Sequence, residues 1–164
     1  MKYILLIFIL TVSSHTCLGQ TKKITQILNK QFQKEQKWYD EIDIEKPYIY
    51  QEFKIENDSL SFEFYYAPQL ETQQKEITRR VVHLKDLKDF SKDYSILFLT
   101  EANSVMEKIY LEKSPGQKEI LHQSITDMFF TELRKDRKDE ILQKNIIKAF
   151  SKAGYTITGE YWYH

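Results

Sequence analysis

The sequence predicts an α+β fold, an antiparallel meander sheet of five or six strands with an N-terminal helix and a C-terminal helix. Two features carry this prediction. Two alternating apolar segments around an Asn–Asp turn are typical of a β-hairpin. Segments with apolar residues at helical spacing stand before and after the strand-rich region. Strands that follow one another through short turns favour an antiparallel sheet with helices against one face or end.

The pattern of residues 1–19 predicts a secretory signal peptide. Lys2 supplies a positive start, and Tyr3–Val12 form an apolar run that is shorter than the ~20 residues a helix needs to cross a bilayer. The small residue Gly19 suits a cleavage site, so we expect the mature chain to begin at Gln20. The protein would then be exported, either to the periplasm or out of the cell.

Cys17 is the single cysteine of the chain and leaves with the signal peptide if cleavage follows Gly19. The alternative is lipid anchoring at Cys17, which Thr16 disfavours because it is a poor residue before a lipidated cysteine. A buried N-terminal strand or helix is a further alternative. Cleavage leaves residues 20–164 as one globular domain without cysteine, which excludes disulfides, thiol catalysis and thiolate metal sites.

The predicted signal peptide ends in a small residue followed by glutamine, Gly19–Gln20. In this feature and in its composition, the chain resembles small exported proteins of Bacteroidota. The resemblance is confined to the signal peptide and the composition. It implies export and carries no particular activity.

The charge balance argues against nucleic acid as a partner. The chain has 24 Lys and Arg against 24 Asp and Glu, and Lys2 is the only charged residue of the predicted signal peptide. A nearly neutral domain has no basic excess to release counterions from a phosphate backbone. The high aromatic content favours a packed core over a disordered tail. We expect no transmembrane helix in the mature chain.

Two amphipathic helices enclose the strands. The first is predicted over about Lys22–Trp38, where Ile24, Leu28 and Phe32 recur at helical spacing. The second is predicted for the segment DEILQKNIIKAFSKAG, in which Gly154 stands at the position of a C-cap glycine. Each apolar stripe requires a surface to pack on, which the sheet supplies.

Asn57–Asp58 is the predicted turn of a hairpin between YIYQEFKIE and SLSFEFYY. Both residues tolerate left-handed backbone angles, as a two-residue hairpin loop requires. This loop fixes a register that gathers the apolar residues on one face. The predicted pairs are Glu56 with Ser59, Ile55 with Leu60, Phe53 with Phe62, Gln51 with Phe64, and Ile49 with Tyr66.

The remaining segments complete the sheet. Short apolar or alternating runs predict strands, and Pro–Gly predicts a turn. We expect a third strand at 75–84, followed by a charged connection with one helical turn at 84–93. A central strand is predicted at 94–100 and a further strand at 104–112, followed by a turn at 114–116. The segment 119–133 is a strand or a helix, and a last strand is predicted in the tail 156–164. For 119–133 we prefer the strand, because of its β-branched and aromatic residues.

No residue pattern predicts catalysis, a metal or a cofactor. After residue 19 the histidines are His83, His122 and His164, which are too far apart in sequence for an H-E-x-x-H or Cys/His zinc motif. The chain has no G-x-S-x-G elbow and no glycine-rich phosphate loop. Its paired carboxylates stand in lysine-rich stretches and are typical of a solvated charged face.

Aromatic residues are the first candidates for partner or ligand binding. Tyr48, Tyr50 and Tyr65 fall on the hairpin face opposite the apolar one, and Trp162 in the aromatic tail extends the set. Tyrosine and tryptophan are common in binding surfaces because they combine area with a polar tip. The alternative interpretation is structural: these residues cover the second face of the sheet under the N-terminal helix.

Arg79 and Arg80 are the second candidates. They are adjacent on a predicted strand, so their side chains point to opposite faces. One of them then approaches the covered face, or the strand lies at a sheet edge, where an inward charge discourages aggregation. We prefer the edge interpretation, and the functional alternative is contact with an anion.

The sequence therefore predicts a non-enzymatic exported domain that binds an unidentified protein or small ligand. Two alternatives stay open: a small secreted or periplasmic hydrolase with an unrecognised site, and a structural or assembly protein of the cell envelope. A curved antiparallel sheet closed at one end by a C-terminal helix resembles the pleckstrin-homology-like arrangement. That resemblance concerns the fold and implies no function.

Overall fold

The computed structural model describes residues 2–39, 46–67, 75–92, 95–134 and 140–160. Within these ranges it has an α+β fold, with eight strands in two antiparallel sheets between an N-terminal and a C-terminal helix. In chain order the elements are α1 (Lys2–Tyr39), β1 (Pro47–Glu56), β2 (Ser59–Tyr66), β3 (Lys75–His83), a 3₁₀ turn (Leu84–Asp86), β4 (Leu87–Lys92), β5 (Ile96–Thr100), β6 (Val105–Ser114), β7 (Gln117–Thr126), β8 (Met128–Leu133) and α2 (Glu140–Lys152). Among the described helices, none combines enough length with enough apolar character to cross a membrane.

The strands form two sheets, so the single meander is confirmed only in part. The first sheet has the order β1-β2-β3-β6-β7, and the second has the order β4-β5-β8. After β3 the chain leaves the first sheet, builds β4 and β5, and returns as β6. The segment predicted as a charged connection contains β4, because Leu87 and Phe90 are buried between its lysines. The strand at 96–100 is central, as expected, but in the second sheet.

The β1–β2 hairpin has the predicted turn. Asn57 and Asp58 both have positive φ, 49° and 56°, which is the geometry of a two-residue hairpin loop. Next to the turn, Ile55 pairs with Leu60 as predicted. The carbonyl of Asp58 also accepts a hydrogen bond of 2.8 Å from the backbone N–H of Leu84, which fastens the turn to the end of β3.

Further from the turn, the hairpin register differs from the prediction. Irregularities between Ile49 and Gln51, and between Gln51 and Lys54, insert extra residues into β1. Ile49 therefore pairs with Phe64, where the sequence predicted Tyr66. Bulges of this kind bend and twist a strand. They leave no signal in the alternation of apolar residues.

The core lies between the two sheets and the two helices. From α1, Phe32 packs edge-on against Phe62 at 5.2 Å between ring centroids, and Phe62 stacks on Phe53 at 4.1 Å. In the second sheet, Phe98 contacts Phe150 of α2 at 5.5 Å. These residues belong to one continuous buried cluster. The helical stripes predicted from the sequence are therefore the surfaces that hold the fold together.

The segment 119–133 is strand, as preferred, but it contributes to both sheets. It spans most of β7 and all of β8, with a break at Asp127. Helix α2 ends as predicted: Gly154 has φ 86°, and the N–H of Tyr155 donates to the carbonyl of Phe150 at 3.0 Å. In the tail, Thr158 forms an isolated parallel bridge with Asp89, and residues 161–164 lie outside the described part.

Phe62→Ala should lower the free energy of unfolding by about 3–5 kcal/mol, the usual cost of emptying a buried phenylalanine site. Phe62 is fully buried and contacts three other rings. The measurement is urea denaturation followed by circular dichroism. The control Ile141→Ala removes an apolar side chain that is 71% exposed. Equal losses in the two variants would contradict this assignment of the core.

Candidate functional site

The first candidate site is the outer face of the five-stranded sheet, the face turned away from α1. Side chains alternate along β2, so Phe62 and Phe64 point toward the core while Glu63 and Tyr65 point outward. Residues that pair across neighbouring strands lie on the same face of the sheet, so the outward positions continue from one strand to the next. Six of these outward residues form what we call the tyrosine–lysine surface: Tyr48, Tyr50, Tyr65, Lys75, Tyr110 and Lys118.

The rings and ammonium groups of this surface contact one another in a row. Tyr48 stacks on Tyr65 with 5.3 Å between centroids and 19° between planes. The Nζ of Lys75 lies 4.5 Å from the centroid of Tyr65, and the Nζ of Lys118 lies 4.1 Å from that of Tyr50. Cations over aromatic faces attract the ring quadrupole. The contacts fix both the rings and the lysines in place.

Two glutamates bind the lysines of this surface. Glu63 is 4% exposed and accepts a hydrogen bond of 2.7 Å from Lys118. Glu112 accepts one of 2.9 Å from the hydroxyl of Tyr50 and forms an ion pair of 3.3 Å with Lys75. The hydrogen bond from Tyr50 lowers the pKa of Glu112, and the same bond raises the pKa of Tyr50. The tyrosine–lysine surface is thus a preorganised network.

Arg79 lies on the same face, beside this row. Its Nε is 3.6 Å from Glu63, within ion-pair distance but too far for a hydrogen bond. Together with Lys108 and Tyr110 it lines a shallow depression of about 180 Å³. Two cations next to an aromatic ring are suited to an acidic group of a ligand. The side chain of Arg79 is 39% exposed beside this depression.

Arg80 points to the opposite face, as the alternation predicted, but the preferred explanation for it is wrong. Strand β3 lies between β2 and β6, so it is not an edge strand. Arg80 instead reaches the covered face, where its guanidinium lies 4.9 Å from the centroid of Phe64. It forms ion pairs with Glu107 at 2.6 Å and with Glu132 at 2.7 Å. Arg80 is therefore part of the interior.

Glu132 is the centre of the second charged site. It is 6% exposed and has a positive φ of 61°, an uncommon backbone conformation for a residue other than glycine. Its carboxylate accepts hydrogen bonds from Arg80 at 2.7 Å, from Arg134 at 3.1 Å and from the hydroxyl of Tyr66 at 2.8 Å. We call these four residues the Glu132 network.

Burial by itself raises the pKa of Glu132, but the charge of Arg80 and the hydrogen bonds from Arg80 and Tyr66 outweigh it, so the pKa lies below the usual value of 4.5. Burial and the neighbouring Glu132 raise the pKa of Tyr66. The carboxylate stays ionised and accepts hydrogen bonds from Arg80, Arg134 and Tyr66. This arrangement stabilises the charges of the network.

The Glu132 network also reaches helix α1. The hydroxyl of Tyr39 lies 3.5 Å from the carbonyl of Glu132, and the backbone N–H of Arg134 donates to Glu35 at 2.6 Å. Sequence reasoning missed Glu132, which stands alone in MFFTEL. The signal that points to it is Arg80, because an inward arginine in a sheet requires a buried acid.

The structure places the predicted site residues in different parts of the molecule. The tyrosine–lysine surface contains Tyr48, Tyr50 and Tyr65, with Arg79 beside it, whereas Arg80 lies in the interior. Trp162 lies outside the described residues. The N-terminal helix does not cover the tyrosines, because α1 packs on the other face.

Within the described ranges, no group of His, Cys, Asp and Glu is arranged to hold a metal ion. Comparison with protein-family models, curated proteins and solved structures finds no match.

Glu132→Gln should destabilise the fold at neutral pH by about 3–5 kcal/mol, since it removes the acid that Arg80 and Arg134 share and leaves Arg80 with Glu107 alone. Because the folded-state pKa of Glu132 is below 4.5, its stabilisation is fully present above that pH. It is lost as the pH falls through the folded value. The variant should therefore show a flatter fall in stability on acidification. Urea denaturation at a series of pH values measures both effects.

Glu101→Gln is the matched control for this experiment. Its side chain is 77% exposed and, within the described ranges, makes only a long ion pair with Lys88, so its loss should change stability little. A Glu132→Gln variant with the stability and the acid dependence of the control would show that the Glu132 network is dispensable.

Proposed function

We propose that this chain is a non-enzymatic exported domain that binds a partner protein or ligand through the tyrosine–lysine surface. One observation carries the proposal: six side chains from five strands are fixed in contact on a sheet face that α1 and α2 leave open. Side chains that are already ordered lose little conformational entropy on binding. Tyrosine and cationic residues are also characteristic of protein interfaces.

The chemistry of the surface indicates which partners it suits. Tyr48 is the most exposed of its rings, 37% exposed, and offers a flat apolar area. Arg79 and Lys108 supply positive charge at the other end, around the depression. A partner that presents an acidic group next to an apolar or planar group would match both parts.

Export belongs to the same proposal. Removal of residues 1–19 would take away the first half of α1 and leave the buried positions Ile24, Leu28 and Phe32 in place, because they follow the proposed cleavage site. The pleckstrin-homology-like arrangement remains our proposal for the finer fold. It is supported by the packing of Phe150 of α2 against Phe98 of the second sheet.

A second function, self-assembly, is favoured by one observation. Strand β7 is a sheet edge of ten residues, and its Ile120, Leu121 and Ile125 are about half exposed, at 53%, 49% and 59%. A long apolar edge is a template for pairing with another chain. Antiparallel pairing with β7 of a second copy, about an axis between His122 and Gln123, would place Ile120 opposite Ile125 of that copy.

The test of partner binding uses a photo-crosslinking amino acid in place of Tyr48, expressed in the native host. We expect a discrete covalent adduct in the envelope or secreted fraction, which mass spectrometry identifies. The adduct partner should bind the Tyr48→Ala variant at least about tenfold more weakly than the original protein, because aromatic anchors dominate interfaces. Intact mass of the same material should show an N-terminus at Gln20.

The control places the crosslinker at Lys85, which is exposed in the turn after β3. If Lys85 gives the same adducts as Tyr48, or if Tyr48→Ala binds with unchanged affinity, the tyrosine–lysine surface is not the binding site. A mass that begins at Met1 would contradict export by signal-peptide cleavage.

For self-assembly, we expect the molar mass of the purified domain to rise with its concentration in analytical ultracentrifugation. Ile125→Lys should return it to a monomer, since a charge at the exposed edge opposes strand pairing. Ile141→Lys adds the same charge to an exposed helical position and should leave association unchanged. A monomer at all concentrations, or equal behaviour of the two variants, would exclude pairing through β7.

A further inference from the structure

A second surface lies on the other side of the molecule, where α1 and α2 pack side by side. Between them runs an open groove of about 680 Å³. Its apolar part includes Ile27 and Leu142, which pack on the core, and Ala149. At one end Ile141 contributes an apolar side chain that is 71% exposed. The volume is within the range of small-ligand and peptide-anchor sites.

The rims of this groove carry lysines, and no acid is among the described residues that line it. Lys23, Lys30 and Lys34 line it from α1, and Lys148 and Lys152 line it from α2. None of the five ammonium groups forms an ion pair or hydrogen bond with any described residue. In a chain with equal numbers of acidic and basic residues, this is a local excess of positive charge.

The spacing of the lysines distinguishes between anionic ligands. Lys23 and Lys34 are eleven residues apart, which is ~16 Å along a helix, and Lys30 lies between them. Lys148 and Lys152 add charge on the opposite rim. The positive charges are therefore distributed along the groove. A fatty acid or a detergent carries its charge at one end only, whereas an acidic helix carries charges along its whole length.

We propose that the groove between α1 and α2 binds an acidic amphipathic helix of a partner protein. The apolar face of that helix would pack on Ile27, Leu142 and Ala149, and its carboxylates would meet the lysines of both rims. This is the helix-in-groove mode of recognition. The groove lies across the sheet from the tyrosine–lysine surface, so this inference does not depend on the proposed function.

The probes are three fluorescein-labelled amphipathic peptides of four to five helical turns with the same leucine face. Their polar faces carry glutamate, glutamine or lysine. Fluorescence anisotropy with the full domain should show binding of the glutamate peptide, at least tenfold tighter than the glutamine peptide, and no binding of the lysine peptide. Added salt should weaken the glutamate complex, because the attraction is between solvent-exposed charges.

Two variants locate the site. Reversal of three rim charges in Lys30→Glu, Lys34→Glu and Lys148→Glu should weaken the glutamate peptide at least tenfold. The matched control reverses three exposed lysines elsewhere, in Lys85→Glu, Lys88→Glu and Lys113→Glu, and should change affinity less than threefold. Ile141→Ala should weaken binding severalfold without any change of charge. The rim lysines and Ile141 are exposed, so thermal melting of the rim triple and of Ile141→Ala should stay the same.

Several results would overturn the proposal. One is equal binding of the glutamate and glutamine peptides, and another is equal loss in the rim and control triples. Failure of the glutamate peptide to bind would also overturn it. Lauric acid and phosphatidylglycerol vesicles serve as the competing occupants. Rim-dependent binding of either one, without binding of the glutamate peptide, would assign the groove to a lipid in place of a helix.

Discussion

The guanidinium of Arg80 is a full positive charge on the covered face of the five-stranded sheet. Much of the architecture follows from the acids that compensate this charge. A buried charge without a partner costs several kcal/mol. Glu107 supplies one partner from the neighbouring strand β6, and Glu132 supplies the other from β8, where it adopts a φ of 61°. The ion pair therefore ties the second sheet to the first. Tyr66 and Arg134 complete the bonding of the carboxylate.

The same network orients the N-terminal helix. Tyr39 and Glu35 of α1 both contact the backbone at the end of β8, while Phe32 fills the apolar layer above Phe62. Polar contacts of this kind specify one arrangement of packed elements, whereas the apolar contacts supply most of the free energy. The charged groups of the network thus join β3, β8 and α1.

Two exterior surfaces stand out, and they differ in character. The tyrosine–lysine surface is rigid because Glu63 and Glu112 hold its cations. The helical groove has five lysines that no described acid holds. The sheet separates the two, so that a ligand on one leaves the other open.

The sequence by itself determined the local elements. It placed the helical stripe of Ile24, Leu28 and Phe32, the Asn57–Asp58 turn and the Gly154 cap, because each depends on neighbouring residues and on backbone preferences. The opposite directions of Arg79 and Arg80 followed from the alternation of a strand.

Only the tertiary structure decided that the strands divide into two sheets, that β1 carries bulges, and that Arg80 meets Glu132 across 52 residues of sequence. The groove between α1 and α2 is likewise a feature that only the tertiary structure decided. Pairing between distant segments depends on which surfaces fit and which charges balance in three dimensions, and neither property is written in the local pattern of residues.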